Sequence, residues 1–168
     1  LIPEVKGRVG YWAYFVVAAD NVLKQGGRLA LVAPEGFFNW AGESVRRYLI
    51  DRGYSIDYVI KSSVEFFSEQ AAFRDYLVVM TKGKVMNDPV VIILKKTLDE
   101  LDIAQLAERI REFRASPSVK VETEDFIGLK RPKELIFDYI SNLKPLVGLN
   151  TLKGFELFSE LMDCIKEL

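Results

Sequence analysis

Histidine is missing from all 168 residues. That removes the commonest general base and the commonest metal ligand. Cysteine occurs once, at Cys164, so no intrachain disulfide can form and a structural zinc site is effectively excluded. Ser-His-Asp and Cys-His hydrolase chemistry falls with the histidine. The single thiol fits a reducing, cytoplasmic setting, and Cys164 reads as a small core residue of a last helix. No apolar run approaches the roughly 18 residues that span a bilayer, so no membrane partner is expected. The formal net charge is −1, and no global positive field points to nucleic acid. Neither a Gly-x-Gly pair nor a Pro-Pro dipeptide occurs. An initiator methionine is also missing. The opening Leu1-Ile-Pro-Glu has no signal-peptide pattern and reads as a cut inside a longer chain.

Apolar residues make up 49% of the chain, enough for a packed core. The densest information lies in residues 22–38. Helix end, Gly26-Gly27 turn, the apolar run Arg28 to Ala33 and the stop at Pro34-Glu35 follow one another. This is half of an α/β crossover unit. In open α/β sheets, ligands sit beyond the carboxyl ends of the strands, where Pro34, Glu35 and Gly36 would lie.

Helical spacing predicts a helix over residues 11–24, with Phe15, Ala18, Ala19 and Val22 on its inner face. The continuous apolar run Arg28 to Ala33 predicts a central parallel strand buried on both faces. A helix over 41–52 should turn Val45, Tyr48 and Leu49 inward and Arg46, Arg47 and Arg52 outward. Strands follow over 54–60, 76–81 and 90–94, with a long connection over 61–75. The pattern then changes. Residues 97–113 read as one helix opened by a Thr97/Glu100 capping box. Residues 119–127 read as one edge strand, and helices are expected over 132–143 and 152–168. These readings divide the chain into an α/β unit over 1–96 and a mainly helical extension over 97–168.

Leu23-Lys-Gln-Gly-Gly-Arg-Leu-Ala-Leu-Val-Ala-Pro-Glu-Gly-Phe37, then Arg47-Tyr-Leu49, Tyr54 to Ile60, the aromatic loop Phe67 to Arg74 and Tyr76 to Met80 form an ordered set. That set resembles the second half of a class I methyltransferase. It is most similar to the N6-adenine DNA methyltransferases of type I and related restriction-modification systems. The resemblance covers about residues 11–84. It implies a partial Rossmann-like sheet, with 97–168 as the start of a target-recognition region. It also implies S-adenosylmethionine as cofactor, double-stranded DNA as partner, and specificity and restriction subunits as assembly partners. Methyl transfer to an amino group needs orientation and charge stabilisation more than a titrating base, which suits a chain without histidine.

The family's Gly-rich cofactor loop and its Asn/Asp-Pro-Pro-Tyr/Phe motif are not in this sequence. The resemblance therefore implies that this chain alone neither methylates nor holds S-adenosylmethionine tightly, and that no catalytic residue lies in it. By position in the family, Phe15, with Tyr11 and Trp12, would line the cofactor's adenine pocket. Phe67, with Phe66 or Phe73 as alternatives, would stack on a flipped base. Pro34 and Glu35 would end the strand at the site. Lys130, Arg131 and Lys133 form a short basic cluster that would touch DNA. As an isolated piece, the chain is expected to dimerise or to cover a free sheet edge with its C-terminal helices.

Two other readings stay open on the residues alone. One is a non-catalytic binding or assembly module derived from a methyltransferase half. The other is an unrelated small-molecule enzyme using Asp57, Glu65 or Asp75 as its acid or base.

Overall fold

The computed structural model describes residues 10–38, 40–65, 67, 75–85 and 87–133. Helix α1 (Trp12–Val22) leads through Gly26, at φ +78°, into strand β1 (Arg28–Pro34). Two short 3-10 turns, Glu35–Phe38 and Trp40–Gly42, precede α2 (Glu43–Asp51). Gly53, at φ +76°, ends α2 in the left-handed region that suits glycine, and its N–H closes on the Ile50 carbonyl. Strands β2 (Tyr54–Ser62), β3 (Asp75–Lys82) and β4 (Val90–Leu94) follow. Helix α3 (Ile103–Ala115) and the short pair β5 (Lys120–Glu122) and β6 (Phe126–Lys130) complete the described elements.

The strands form one sheet in the order β1-β3-β2-β4-β6-β5. Strand β3 runs antiparallel to both β1 and β2, while β2 and β4 are parallel. Strands β1, β2 and β4 therefore all point one way, and β3 is a reversed strand wedged between two of them. Strand β6 adds antiparallel to β4, so the sheet continues across residue 96.

Each face carries its own core. On one face α1 and α2 pack Val16, Val17, Val45, Tyr48 and Leu49 against Ala33, Tyr76, Val78 and Met80. On the other, α3 packs Leu106, Ile110 and Phe113 against Val90, Ile92, Leu94 and Phe126. All five residues of β4 are buried, as expected for a strand covered on both sides.

Several expectations are corrected. Among the described residues β1 pairs with β3 only, antiparallel, and is not buried on both faces: its residues alternate between exposed and half-buried up to Val32, and Ala33 is buried. An apolar run is thus compatible with an edge strand that a further element is needed to cover. The inner face of α1 is rotated from the expected one. Ala13, Val16, Val17 and Asp20 are buried, whereas Phe15 is 69% and Val22 80% exposed. The sequence-stripe of Phe15, Ala18 and Val22 is real, but it faces away from the sheet. Val45, Tyr48 and Leu49 do face inward on α2, but so does Arg46, at 1% exposure; Arg47 lies outside and pairs with Glu43.

The segment 97–113 is broken rather than continuous. The Thr97/Glu100 capping box exists but closes a 3-10 turn, Leu98–Glu100. Helix α3 then starts afresh with Asp102 as N-cap, its carboxylate accepting from Gln105 N at 3.0 Å. The single strand expected over 119–127 is the hairpin β5-β6, turned at residues 123–125, where the Thr123 hydroxyl accepts from the Asp125 and Phe126 N–H groups. The helices expected over 132–143 and 152–168, and with them Cys164, lie outside the described residues, apart from the first two positions of the former, 132 and 133, which are in no helix.

Candidate functional site: the carboxyl ends of the parallel strands

Strands β1 and β2 end at Pro34 and Ser62, and the reversed strand β3 begins at Asp75 beside them. Pro34 pairs with Asp75 in the β1-β3 register. The buried Asp75 carboxylate accepts the backbone N–H of Phe67 at 3.0 Å. A residue from the long β2-β3 connection is thereby fastened to the strand end. Phe67 is partly buried and packs against the core on the α3 face, as Tyr58 and Ile60 also do. Its neighbours Phe66 and Phe73 lie outside the described residues.

Helix α1 runs back along β1, so its first turn lies at this same end. Trp12 packs on Phe37 with ring centroids 5.5 Å apart, in a chain that continues through Phe38 to Tyr76. Trp12 thus serves the core behind the strand end, the bland reading of an aromatic at helical spacing. Tyr11 and Phe15 are different: at 86% and 69% exposure they present open aromatic faces. Glu35 opens the 3-10 turn after Pro34, and its side chain lies outside the described residues.

The basic cluster is elsewhere. Lys130 ends β6 and pairs with Val90 at the start of β4, so it sits at the opposite end of the sheet. Lys130 and Lys133 line a cleft of about 410 Å³ together with Arg114, Asn87, Asp88 and Val90. Arg131 contributes a backbone N–H to the Pro89 carbonyl. Val90 lies four steps of β4 before Leu94, which pairs with Ser62 at the end of β2, about 13 Å at a rise of roughly 3.3 Å per residue, and Lys133 lies beyond Lys130 in the chain. Lys130 and Lys133 therefore do not join Phe67 and Pro34 in one pocket.

Two buried carboxylates escaped the sequence reading as organising groups. Asp20, at 1% exposure, accepts from Tyr48 Oη at 2.7 Å and Tyr54 Oη at 3.0 Å and pairs with Lys82 Nζ at 2.7 Å. It ties α1, α2, β2 and β3 together. Burial pushes its pKa up, but the hydrogen bonds from Lys82, Tyr48 and Tyr54 outweigh this and hold it below the ordinary value. The Tyr54 phenol is raised well above its usual range by burial and by the Asp20 carboxylate it serves. An aspartate in the last turns of a helix, i.e. a helix-breaking charge on an otherwise apolar face, was the available signal.

Asp57 sits on the opposite face. It accepts from the Thr81 hydroxyl, Lys84 Nζ at 2.8 Å and Arg114 Nη2 at 3.0 Å, while the Arg114 guanidinium lies 4.6 Å over the Tyr58 ring. Burial raises its pKa, and the Lys84, Thr81 and Arg114 bonds bring it below the ordinary value. Asp57, Glu65 and Asp75 do not gather into one acid-base pair. Glu65 accepts the Leu98 N–H at 2.6 Å, and Asp57 is locked at the other end of the sheet. Among the described residues no group of acidic or cysteine side chains could hold a metal ion, and no helix is long and apolar enough to cross a membrane.

Comparison with solved structures gives the fold an independent footing. The type IIG restriction endonuclease BpuSI superposes with a TM-score of 0.65 at 14% identity, over 82% of this chain and 16% of that protein. A protein assigned as the modification subunit of a type I restriction enzyme from Vibrio vulnificus YJ016 superposes with a TM-score of 0.50 at 10% identity, over 70% of this chain and 27% of that one. The chain thus spans only about a sixth to a quarter of the proteins it resembles in structure. No curated protein matches its sequence. The family described as N-6 DNA Methylase matches residues 7–117, about two thirds of the chain, and the chain belongs to that family.

Proposed function

We propose that this chain is the C-terminal part of the catalytic domain of an S-adenosylmethionine-dependent DNA adenine-N6 methyltransferase in a restriction-modification system. The observation that carries the reading is the order β1-β3-β2, with a reversed strand between two parallel ones and, among the described residues, an unpaired edge on β1. Helix α1 lies antiparallel beside β1 and reads as the return of a crossover. Right-handed crossovers join parallel neighbours in nearly all α/β sheets. The free edge of β1 then accepts a parallel strand from the preceding half of the domain. The exposed Tyr11, Tyr14 and Phe15 on α1 are covered in the same event.

S-adenosylmethionine supplies the methyl group when bound. The residues present fit one wall of its site, because Tyr11 and Phe15 offer open aromatic faces at the carboxyl end of β1. The other walls belong to the cofactor loop and the Asn-Pro-Pro motif, so the chain alone is inactive and holds the cofactor weakly. Phe67, tethered to Asp75, would stack on the extruded base, and Pro34 with Glu35 would border the pocket. Stacking orients the amine without needing a titrating base. Double-stranded DNA is the substrate, with specificity and restriction subunits as assembly partners.

The second reading, a binding module derived from a methyltransferase half, fits the missing motifs equally well. Methyl-transfer assays on the longer protein separate the two. Transfer to adenine N6 supports the enzyme, and a longer protein inert even with its specificity partner supports the module.

A further inference from the structure

A net charge near zero conceals a separation of charge along the strands. At the end where β1, β2 and β4 begin, the sheet carries Arg28, Arg52, Lys84, Arg114, Lys130 and Lys133. The acids named at this end are fewer than the cations, and each is engaged together with the cation that holds it. Asp20 is buried against Lys82, Asp57 is shared by Lys84 and Arg114, and Asp88 accepts the Lys133 backbone N–H at 3.0 Å. The end where those strands finish is the reverse on the α3 side: Glu65, Glu100, Asp102, Glu122, Glu124 and Asp125 cluster around the turns after β4 and before β6, where they outnumber Lys95, Lys96 and Arg109, the cations paired with them.

The cations are also spread in a line. They run from β1 across β3 and β2 to β6, four strand spacings in the observed order, about 19 Å at roughly 4.8 Å each. A compact anion needs one point of charge, whereas a row of this length matches several successive phosphates of a polyanion. Arg114 is held rigid by Asp57 and Tyr58 at the mouth of the 410 Å³ cleft, which also receives Lys130 and Lys133. Its Nη1 and Nη2 both donate to Asp57, so Arg114 adds charge to the cleft while Arg28 and Lys133 are left to meet phosphate.

We propose that this basic end is a nucleic-acid backbone site, separated from the strand ends assigned to methyl transfer by about 13 Å of strand at Lys130 and about 20 Å at Arg28. It binds phosphate without reading sequence. DNA held here is either a distant stretch of the substrate or a second duplex. The inference rests on the methyltransferase reading only in taking nucleic acid as the polyanion.

The test uses the full-length protein and a mixed-sequence 30-base-pair duplex, with anisotropy followed over a series of KCl concentrations. Arg28→Gln/Lys133→Gln removes two cations outside the packed core. Loss of two phosphate contacts lowers the slope of log K against log[KCl] by about 2, equally for cognate and unrelated duplexes. Thermal melting checks that the variant is folded, and Arg28→Lys/Lys133→Arg should restore the slope. An unchanged slope in a folded variant overturns the proposal. So does a site that binds poly-glutamate but not DNA, which would mark an acidic protein partner. Methyl transfer measured in parallel keeps the two claims separate: lost transfer with an unchanged duplex-binding slope in Phe67→Ala bears on the strand ends and not on this face.

Discussion

The backbone N–H of Phe67 is held by the Asp75 carboxylate at 3.0 Å, and Asp75 faces Pro34 across the β1-β3 ladder. A loop aromatic, a strand-start acid and a strand-end proline are thus joined at one end of the sheet. If Phe67 stacks on the target base, Phe67→Ala in the longer protein removes a contact of about 1–3 kcal/mol. Methyl transfer should fall by roughly 5- to 150-fold, with the dissociation constant for S-adenosylmethionine nearly unchanged. Asp75→Ala should lower transfer in the same direction by releasing the loop, and Asp75→Asn, which keeps an acceptor, should lower it less. Wild-type turnover in Phe67→Ala removes that residue from the site.

Strand position decides the cost of a buried charge. Val78 is fully buried in β3 between two strands, whereas Leu31 is half-buried in the edge strand. Val78→Asp should cost about 4 kcal/mol or abolish folding. Leu31→Asp, which the run of apolar residues alone would mark as equally severe, should cost less than half as much. Urea unfolding of both variants measures the difference, and equal losses would place β1 inside the sheet.

Acid should unfold the protein through two identifiable groups. The folded pKa values of Asp20 and Asp57 lie below the ordinary value of about 3.9. The unfolded chain therefore binds more protons in that range, and stability rises with pH there. The contribution is full above about pH 4 and is lost as pH falls through the folded values. Asp20→Asn and Asp57→Asn should each be less stable at pH 7, by about 3 kcal/mol if the paired cation is left uncompensated. Each should also flatten the fall of melting temperature below pH 4. A variant with the wild-type slope would show that its carboxylate does not drive acid unfolding.

The β1 edge, unpaired among the described residues, and the exposed Tyr11, Phe15, Val22 and Val32 should make the isolated 168-residue chain self-associate. Light scattering should show concentration-dependent dimers or larger species. Val32→Lys, on the exposed face of the edge strand, should reduce them. The longer protein, with the edge paired, should show no such dependence on Val32.

The ends of the elements were largely legible in the sequence because punctuation marks them. Gly26-Gly27, Pro34 and Gly53 fix where elements stop. The orientation of α1 was not legible. Phe15, Ala18 and Val22 form as good an apolar stripe as Ala13, Val16 and Val17, and a helix that is apolar all round does not declare its inner face when one neighbour is an uncovered edge. An open sheet edge was expected from the missing preceding half, but the exposure of β1 was not: its composition reflects the cover it needs rather than the strands it touches here. Buried Arg46 and Asp20 were missed because a charge on a helix is ordinarily solvated. The two-ended charge pattern depends on register across five strand pairs, which no local pattern encodes.

The most direct test of the account is transfer of labelled methyl from S-adenosylmethionine to mixed-sequence duplex DNA, with the longer protein and the 168-residue chain assayed side by side. The account predicts label on adenine N6 with the longer protein and none with the 168-residue chain. Label transferred by the 168-residue chain alone, or none transferred by the longer protein together with its specificity partner, would contradict it.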